Sequence, residues 1–225
     1  MNVLVTREAD KYAKFAKLLS QAGHTPFSLP MIECVPVDAE IGGYYDFGVF
    51  TSLNAVKYFD KYKDSVRFGQ IAAVGSATKA AMEKAGYTVD LMPDEFSAEG
   101  LIALFSGCNL TGKTFLMAGA ETRAGNFHEW LKQNQCTAEI VTIYRTVPVE
   151  RTKEDIDAFM AENRIDVVTF ASPSAVRAFF EITDTARSIV VIGKTTADAV
   201  KKYNKDCLTP KDFTLEAMTE IINTL

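Results

Sequence analysis

Two short segments of this chain carry hydroxyls where an anion can be held. Asp166-Val167-Val168-Thr169-Phe170 reads as a strand that runs into the small-residue turn Ala171-Ser172-Pro173-Ser174-Ala175-Val176. Ser172 is placed to cap the helix that follows. Pro173 takes that helix's first position, where a missing N–H costs nothing. The same arrangement occurs earlier as Phe50-Thr51-Ser52-Leu53-Asn54-Ala55-Val56. A strand that ends on a capped helix leaves backbone N–H groups facing outward, which suits a small anion or a carboxylate. Gly75-Ser76-Ala77-Thr78 and Gly193-Lys194-Thr195-Thr196 are two further strand-to-helix turns of this kind. Taken singly, each glycine permits a tight turn and each hydroxyl caps a helix. Taken together, Ser52, Ser76, Thr78, Ser172, Thr195 and Thr196 all fall at the C-terminal ends of strands, where open α/β sheets bind ligands.

Three cations stand near these turns. Arg7 ends the first strand, Arg123 follows the corresponding strand later in the chain, and Lys194 adjoins Thr195-Thr196. Each can meet a carboxylate or stand as a solvated surface charge. Tyr144 lies in the strand-like run Ile140–Thr146. A strand tyrosine ordinarily packs in the core or at an edge, but beside a cleft its phenol can donate a proton to a leaving group. Glu154, Asp155, Asp157, Glu162 and Asp166 read as solvated acids at helix ends and connectors. There is no P-loop, GxGxxG, HExxH or GxSxG pattern. His24 and His128 share no motif, so neither a metal site nor a histidine triad is expected.

Composition narrows the class further. Of the 225 residues, 48% are hydrophobic and 24% charged, as in a soluble globular chain of one large or two small domains. The net charge of −5, with no basic block, disfavours a nucleic-acid or anionic-membrane partner. No apolar run reaches the ~18 residues of a membrane span, and the start does not read as a signal peptide. Cys34, Cys108, Cys136 and Cys207 are far apart and read as reduced thiols, which places the protein in the cytoplasm.

The elements that must position these residues alternate between strand and helix. Strands are predicted at 2–6, 25–35, 46–51, 71–74, 89–93, 112–117, 138–146 and 166–170, and one more ends at Gly193. Helices are predicted at 9–22, 53–63, 76–85, 97–106 and 123–133, and after Ser172 and Gly193. The chain also repeats itself. Phe115-Leu116-Met117 lies 112 residues after Val3-Leu4-Val5, and Val147-Pro148-Val149 lies 112 after Val35-Pro36-Val37. Phe170–Val176 lies 120 after Phe50–Val56. Pro210, Phe213 and Met218 lie 117 after Pro93, Phe96 and Leu101. Blocks in one order at nearly constant offset mark a duplicated α/β unit with parallel sheets. The domains can be consecutive. Alternatively, the Val-Pro-Val segments are crossovers: 1–34 then joins 150–225, 38–147 is inserted, and 35–37 with 148–149 link them across a hinge cleft.

Read in order, Val5-Thr6-Arg7, Phe50–Val56, Ala73–Thr78, Thr142-Ile143-Tyr144-Arg145-Thr146, Phe170–Val176 and Ile192–Ala197 resemble the uroporphyrinogen-III synthase family over the whole chain. The resemblance implies two similar flavodoxin-like domains joined by a two-stranded β linker. It implies a cofactor-free and metal-free lyase of tetrapyrrole synthesis, working as a cytoplasmic monomer. The substrate would be hydroxymethylbilane, a linear tetrapyrrole with eight carboxylates, closed to uroporphyrinogen III with inversion of ring D. It also implies Tyr144 as the acid for the leaving oxygen, and Arg7, Thr51, Ser52, Ser76, Thr78, Ser172, Lys194, Thr195 and Thr196 as carboxylate holders. Glu8 departs from the proline that commonly follows Thr-Arg in the family. The rival reading is a cytosolic two-lobed binding or sensory domain that closes on a small anionic ligand.

Overall fold

The computed structural model describes residues 1–121 and 125–225. Arg123 and the first residues of the helix predicted at 123–133 lie outside the described residues. In chain order the elements are β1 (Asn2–Val5), α1 (Tyr12–Gln21), β2 (Thr25–Ser28), β3 (Ile32–Pro36), β4 (Gly43–Phe50), α2 (Leu53–Phe59), β5 (Val66–Ala73), α3 (Ser76–Lys84), α4 (Ala98–Phe105), β6 (Thr114–Ala120), α5 (Phe127–Gln133), β7 (Thr137–Pro148), α6 (Lys153–Glu162), β8 (Val167–Phe170), α7 (Pro173–Phe180), β9 (Ser188–Val191), α8 (Lys194–Lys201) and α9 (Leu215–Ile222). They fall into two compact units. One comprises Met1–Glu33 and Thr146–Leu225, the other Cys34–Arg145. The chain leaves the first unit in β3 and returns in β7.

The first unit holds a sheet of order β2-β1-β8-β9, with every pairing parallel. Side chains alternate across a strand, so each face of this sheet makes its own core. Val3 and Val5 pack with Phe15 and Leu19 of α1 and with Leu215 and Met218 of α9. Leu4, Val168 and Phe170 face the other way, onto Ile156 of α6, Val176 and Phe179 of α7 and Val200 of α8. Thr6 and Thr169 brace the centre. Each is buried, with Thr6 Oγ1 donating to Thr169 O at 2.8 Å and Thr169 Oγ1 to Leu4 O at 2.7 Å.

The second unit repeats that order as β7-β6-β4-β5, with β3 added beside β7. Its β7-β6-β4-β5 pairings are parallel. Val49 and Phe115 face Leu101 and Phe105 of α4 and Phe127 of α5. Phe50, Ile71 and Leu116 face Val56 and Phe59 of α2 and Met82 of α3. Val37 N–H donates to Ile143 O, and Val149 N–H to Met31 O, so β3 and β7 run antiparallel.

Two predicted strands are corrected. The run 25–35 is β2 and β3 with a break between them: Leu29 N–H still continues the parallel ladder to Val5 O, Pro30 has no N–H to offer, and Met31 N–H goes to Thr6 O, one residue out of step. The run 89–93 is reduced to a single bridge between Leu91 and Ala72. There the Asp90 carboxylate accepts the Ile71 N–H at 2.8 Å, in place of a ladder carbonyl. Among the described residues, no helix is long and apolar enough to cross a membrane.

Candidate active site

In the second unit the strand order reverses between β4 and β6, and ligands bind at the carboxyl ends of strands beside such a reversal. Ser52 follows β4 there. Its Oγ accepts the Ala55 N–H at 3.1 Å and so caps α2. The same Oγ lies 3.1 Å from the Tyr144 hydroxyl. A serine hydroxyl has two lone pairs and one proton. With one lone pair occupied by Ala55 N–H, Ser52 can give its proton to the Tyr144 oxygen, leaving the phenol proton free for a third group.

Tyr144 reaches this place through a bulge. Gly119 pairs with Thr142 but Ala120 pairs with Tyr144, so β7 carries one extra residue, Ile143. Consecutive strand residues normally point to opposite faces. Here Ile143 and Tyr144 belong to the same apolar cluster, and Tyr144 is only 6% exposed. Bulges re-aim side chains in this way next to active sites. The Tyr144 ring stacks on Tyr58, with centroids 5.2 Å apart and planes 21° from parallel. Tyr58 OH in turn donates to Cys34 O.

A cavity of about 310 Å³ opens at this point. Thr51, Ser52, Phe96, Ser97, Phe127 and Tyr144 are among its lining residues, and none of the described lining residues is charged. Ser97 Oγ is engaged by Gly100 N–H at 3.0 Å as the cap of α4. On the adjacent turn Gly75 has φ +90°, a conformation that favours glycine. Ser76 is exposed, whereas Thr78 is buried at 4% exposure.

In the first unit the reversal falls between β1 and β8. Arg7 follows β1, and its Nε is buried with no hydrogen-bond partner among the described residues. Burial lowers its pKa from the ordinary guanidinium value, while the charges of Glu8 and Asp10 oppose that shift. Ser172 follows β8. Its Oγ accepts the Ala175 N–H at 3.3 Å and lies 3.2 Å from Ser174 Oγ. Lys194 and Thr195 are exposed at the start of α8, and Thr196 is buried at 2% exposure. Lys194 lines a second cavity with Lys201, Lys211 and Phe213.

Of the residues singled out by sequence, Thr51, Ser52 and Tyr144 thus share one cavity. Ser76 and Thr78 start the neighbouring helix outside its lining. Arg7, Ser172, Thr195 and Thr196 are strand-end residues of the first unit that do not line the Lys194 cavity. Tyr58, Phe96 and Phe127 were not singled out by sequence. For Phe96 a signal exists in its 117-residue offset to Phe213.

The chain is similar to known proteins over most of its length. The model of the family described as uroporphyrinogen-III synthase HemD matches residues 13–220. A uroporphyrinogen-III synthase of Chlorobaculum parvum is 29% identical over 223 residues, covering 89% of this chain and 88% of its own. A uroporphyrinogen-III synthase of Synechococcus elongatus is 25% identical over 195 residues, covering 80% of this chain and 74% of its own. The crystal structure of the Helicobacter pylori uroporphyrinogen-III synthetase superposes with a TM-score of 0.71 at 16% identity, covering 99% of this chain and 98% of that one. That last likeness concerns the fold.

Proposed function

The chain belongs to the uroporphyrinogen-III synthase family, an enzyme family that cyclises hydroxymethylbilane, and from that premise we propose that Tyr144 is its general acid and the hydroxyl-bearing strand ends its carboxylate holders. The net reaction removes water. The pyrrole nitrogen of the hydroxymethyl-bearing ring pushes electrons toward the C–O bond, and the hydroxyl leaves with a proton from Tyr144. Ring D then attacks through its substituted α-carbon to give a spiro intermediate, which fragments and recloses with the ring inverted. The proton released as that pyrrole regains aromaticity restores the phenol, so protons balance.

The observation that carries this reading is the Tyr144–Ser52 contact, with Ser52 already engaged by Ala55 N–H. With Ser52 as the donor of that bond, the phenol keeps its own proton for the leaving oxygen. A 112-residue shift from Tyr144 reaches Ile32, so the other copy has no phenol at this place. The chemistry asks mainly for positioning, with a modest acid.

Thr51, Ser76, Ser172, Lys194 and Thr195 are the groups available to acetate and propionate side chains, with Arg7 as a supporting cation; Ser52, whose one proton goes to Tyr144, would serve through its helix start. Thr78 and Thr196 would serve through their helix starts, since their side chains are buried. We assign the protein to the cytoplasm as a monomer without a nucleic-acid partner. Four cysteines far apart in the sequence and a net charge of −5 support the compartment and the lack of a nucleic-acid partner. The test is to add purified protein to freshly made hydroxymethylbilane and identify the isomer. Uroporphyrinogen III in excess of the spontaneous type I product is expected; type I alone, at the spontaneous rate, would end the proposal.

A further inference from the structure

We propose that Phe96, and its repeat counterpart Phe213, are stacking positions for pyrrole rings of the substrate. The proposal rests on the synthase reading and on the Tyr144 cavity, and adds to them the residues that hold ring faces rather than carboxylates. Phe96 is 60% exposed and Phe213 55% exposed. Neither ring is needed to close a core at that exposure, yet both stand in the same frame. Each follows a single strand bridge, Leu91 on Ala72 and Leu208 on Val190. Each immediately precedes a loop-to-helix start, capped by Ser97 for α4 and by Thr214 for α9. Each also lies over a strand-end glycine. A Cβ on Gly75 would stand 3.7 Å from the Phe96 ring, and one on Gly193 3.1 Å from the Phe213 ring. The duplication has therefore kept an exposed ring against a side-chain-free backbone twice.

The surroundings name the occupant. Phe96 lines the cavity with Thr51, Ser52 and Tyr144, and Phe213 lines one with Lys194, Lys201 and Lys211 against a single carboxylate, Asp198. A ring face beside hydroxyls or ammonium groups suits a flat aromatic group with acidic substituents on its rim. A pyrrole bearing acetate and propionate is such a group, and aromatic rings pair by offset or edge contacts over about 4.5–7 Å. Ring closure to one of two carbons of the same pyrrole is a matter of orientation, and a held ring face fixes orientation where rim contacts leave rotation.

Phe96→Ala, Phe96→Leu and Phe96→Tyr, with Tyr144→Phe in parallel, separate this from the acid assignment. Steady-state kinetics with hydroxymethylbilane and the ratio of type III to type I product are the readouts, with thermal melting as the fold control. The expected result is a KM raised about tenfold in Phe96→Ala and Phe96→Leu, equivalent to about 1.4 kcal/mol. Phe96→Tyr should stay within about twofold of the parent, because it keeps the π-face. An unchanged KM in Phe96→Ala overturns the stacking, whatever Tyr144→Phe does. A normal Phe96→Leu with an impaired Phe96→Ala also overturns it, because any apolar bulk would then suffice. A raised KM in Ala and Leu beside a fully active Tyr144→Phe removes the acid and leaves the stacking. The same series at Phe213 should repeat the pattern, and a silent Phe213→Ala overturns the paired assignment.

Discussion

The Tyr144 hydroxyl and Ser52 Oγ lie 3.1 Å apart, and Ser52 is at the same time the cap of α2. One serine thus joins a helix start to the proposed acid. Removing the phenol oxygen alone should separate chemistry from packing. Tyr144→Phe keeps the ring on Tyr58 and loses one hydrogen bond, a cost of about 1 kcal/mol. Turnover should fall by about 100-fold, the lower range for a positioned acid. A variant with parental kcat and an unaltered melting curve would take Tyr144 out of the mechanism.

Ser52→Ala and Ser172→Ala form a matched pair. Both serines cap a helix through the N–H three residues on, so each substitution should cost about 1 kcal/mol of stability. Only Ser52 touches a phenol. Ser52→Ala should therefore lower kcat by roughly tenfold, a fraction of the acid's contribution. Ser172→Ala should act on KM, through a lost carboxylate contact of about 1 kcal/mol. Equal kinetic profiles for the two variants, measured beside urea midpoints, would show that the Tyr144 contact is incidental.

What could be read from the chain was mostly local or repeated. Ser172 with Pro173 announced α7 because capping needs only neighbours along the sequence. The α/β class and the paired units were readable because the offsets of Val3-Leu4-Val5, Phe50 and Phe96 to their counterparts nearly agree. The break at Leu29–Met31 was not readable, since it depends on carbonyls of Val5 and Thr6. The extra residue Ile143 was hidden for a related reason: a bulge is a property of pairing with β6, and nothing in Ile140–Thr146 marks it. Among the hydroxyls, Ser76 and Thr78 look alike in sequence, but one is exposed and the other lies inward two residues on.

Asp46 gives a pH-dependent test away from the site. Its carboxylate accepts from Lys113 Nζ at 2.8 Å and from Thr114 N–H and Oγ1 at 2.9 Å, tying the start of β6 to β4. The Lys113 bond, followed by the Thr114 N–H, pulls its pKa from 3.8 down to about 2. A depressed folded pKa stabilises above the unfolded value and is lost as pH falls through the folded one. Because Lys113 is 45% exposed, the contribution is set at about 1 kcal/mol near pH 7. The stability advantage of the parent over Asp46→Asn should thus shrink between about pH 4 and pH 2. Urea midpoints across that range test it; a constant difference would mean that ionisation of Asp46 adds nothing to stability.

Gly100 couples stability to the cavity wall. In an exposed helix, Gly→Ala gains about 1 kcal/mol. At Gly100 the sign should reverse. A Cβ there would stand 1.9 Å from Glu95 O and 2.8 Å from Glu95 C, and these are backbone atoms that no rotamer change can move. The displaced stretch runs straight into Phe96 and Ser97, which line the cavity, and Ser97 Oγ is held by Gly100 N–H. Gly100→Ala should therefore cost about 2–3 kcal/mol, as overpacking does, and should raise KM at a temperature where the variant is still folded. Neutral or improved stability in urea melts would show that the Glu95 turn yields freely and does not hold Phe96 in place.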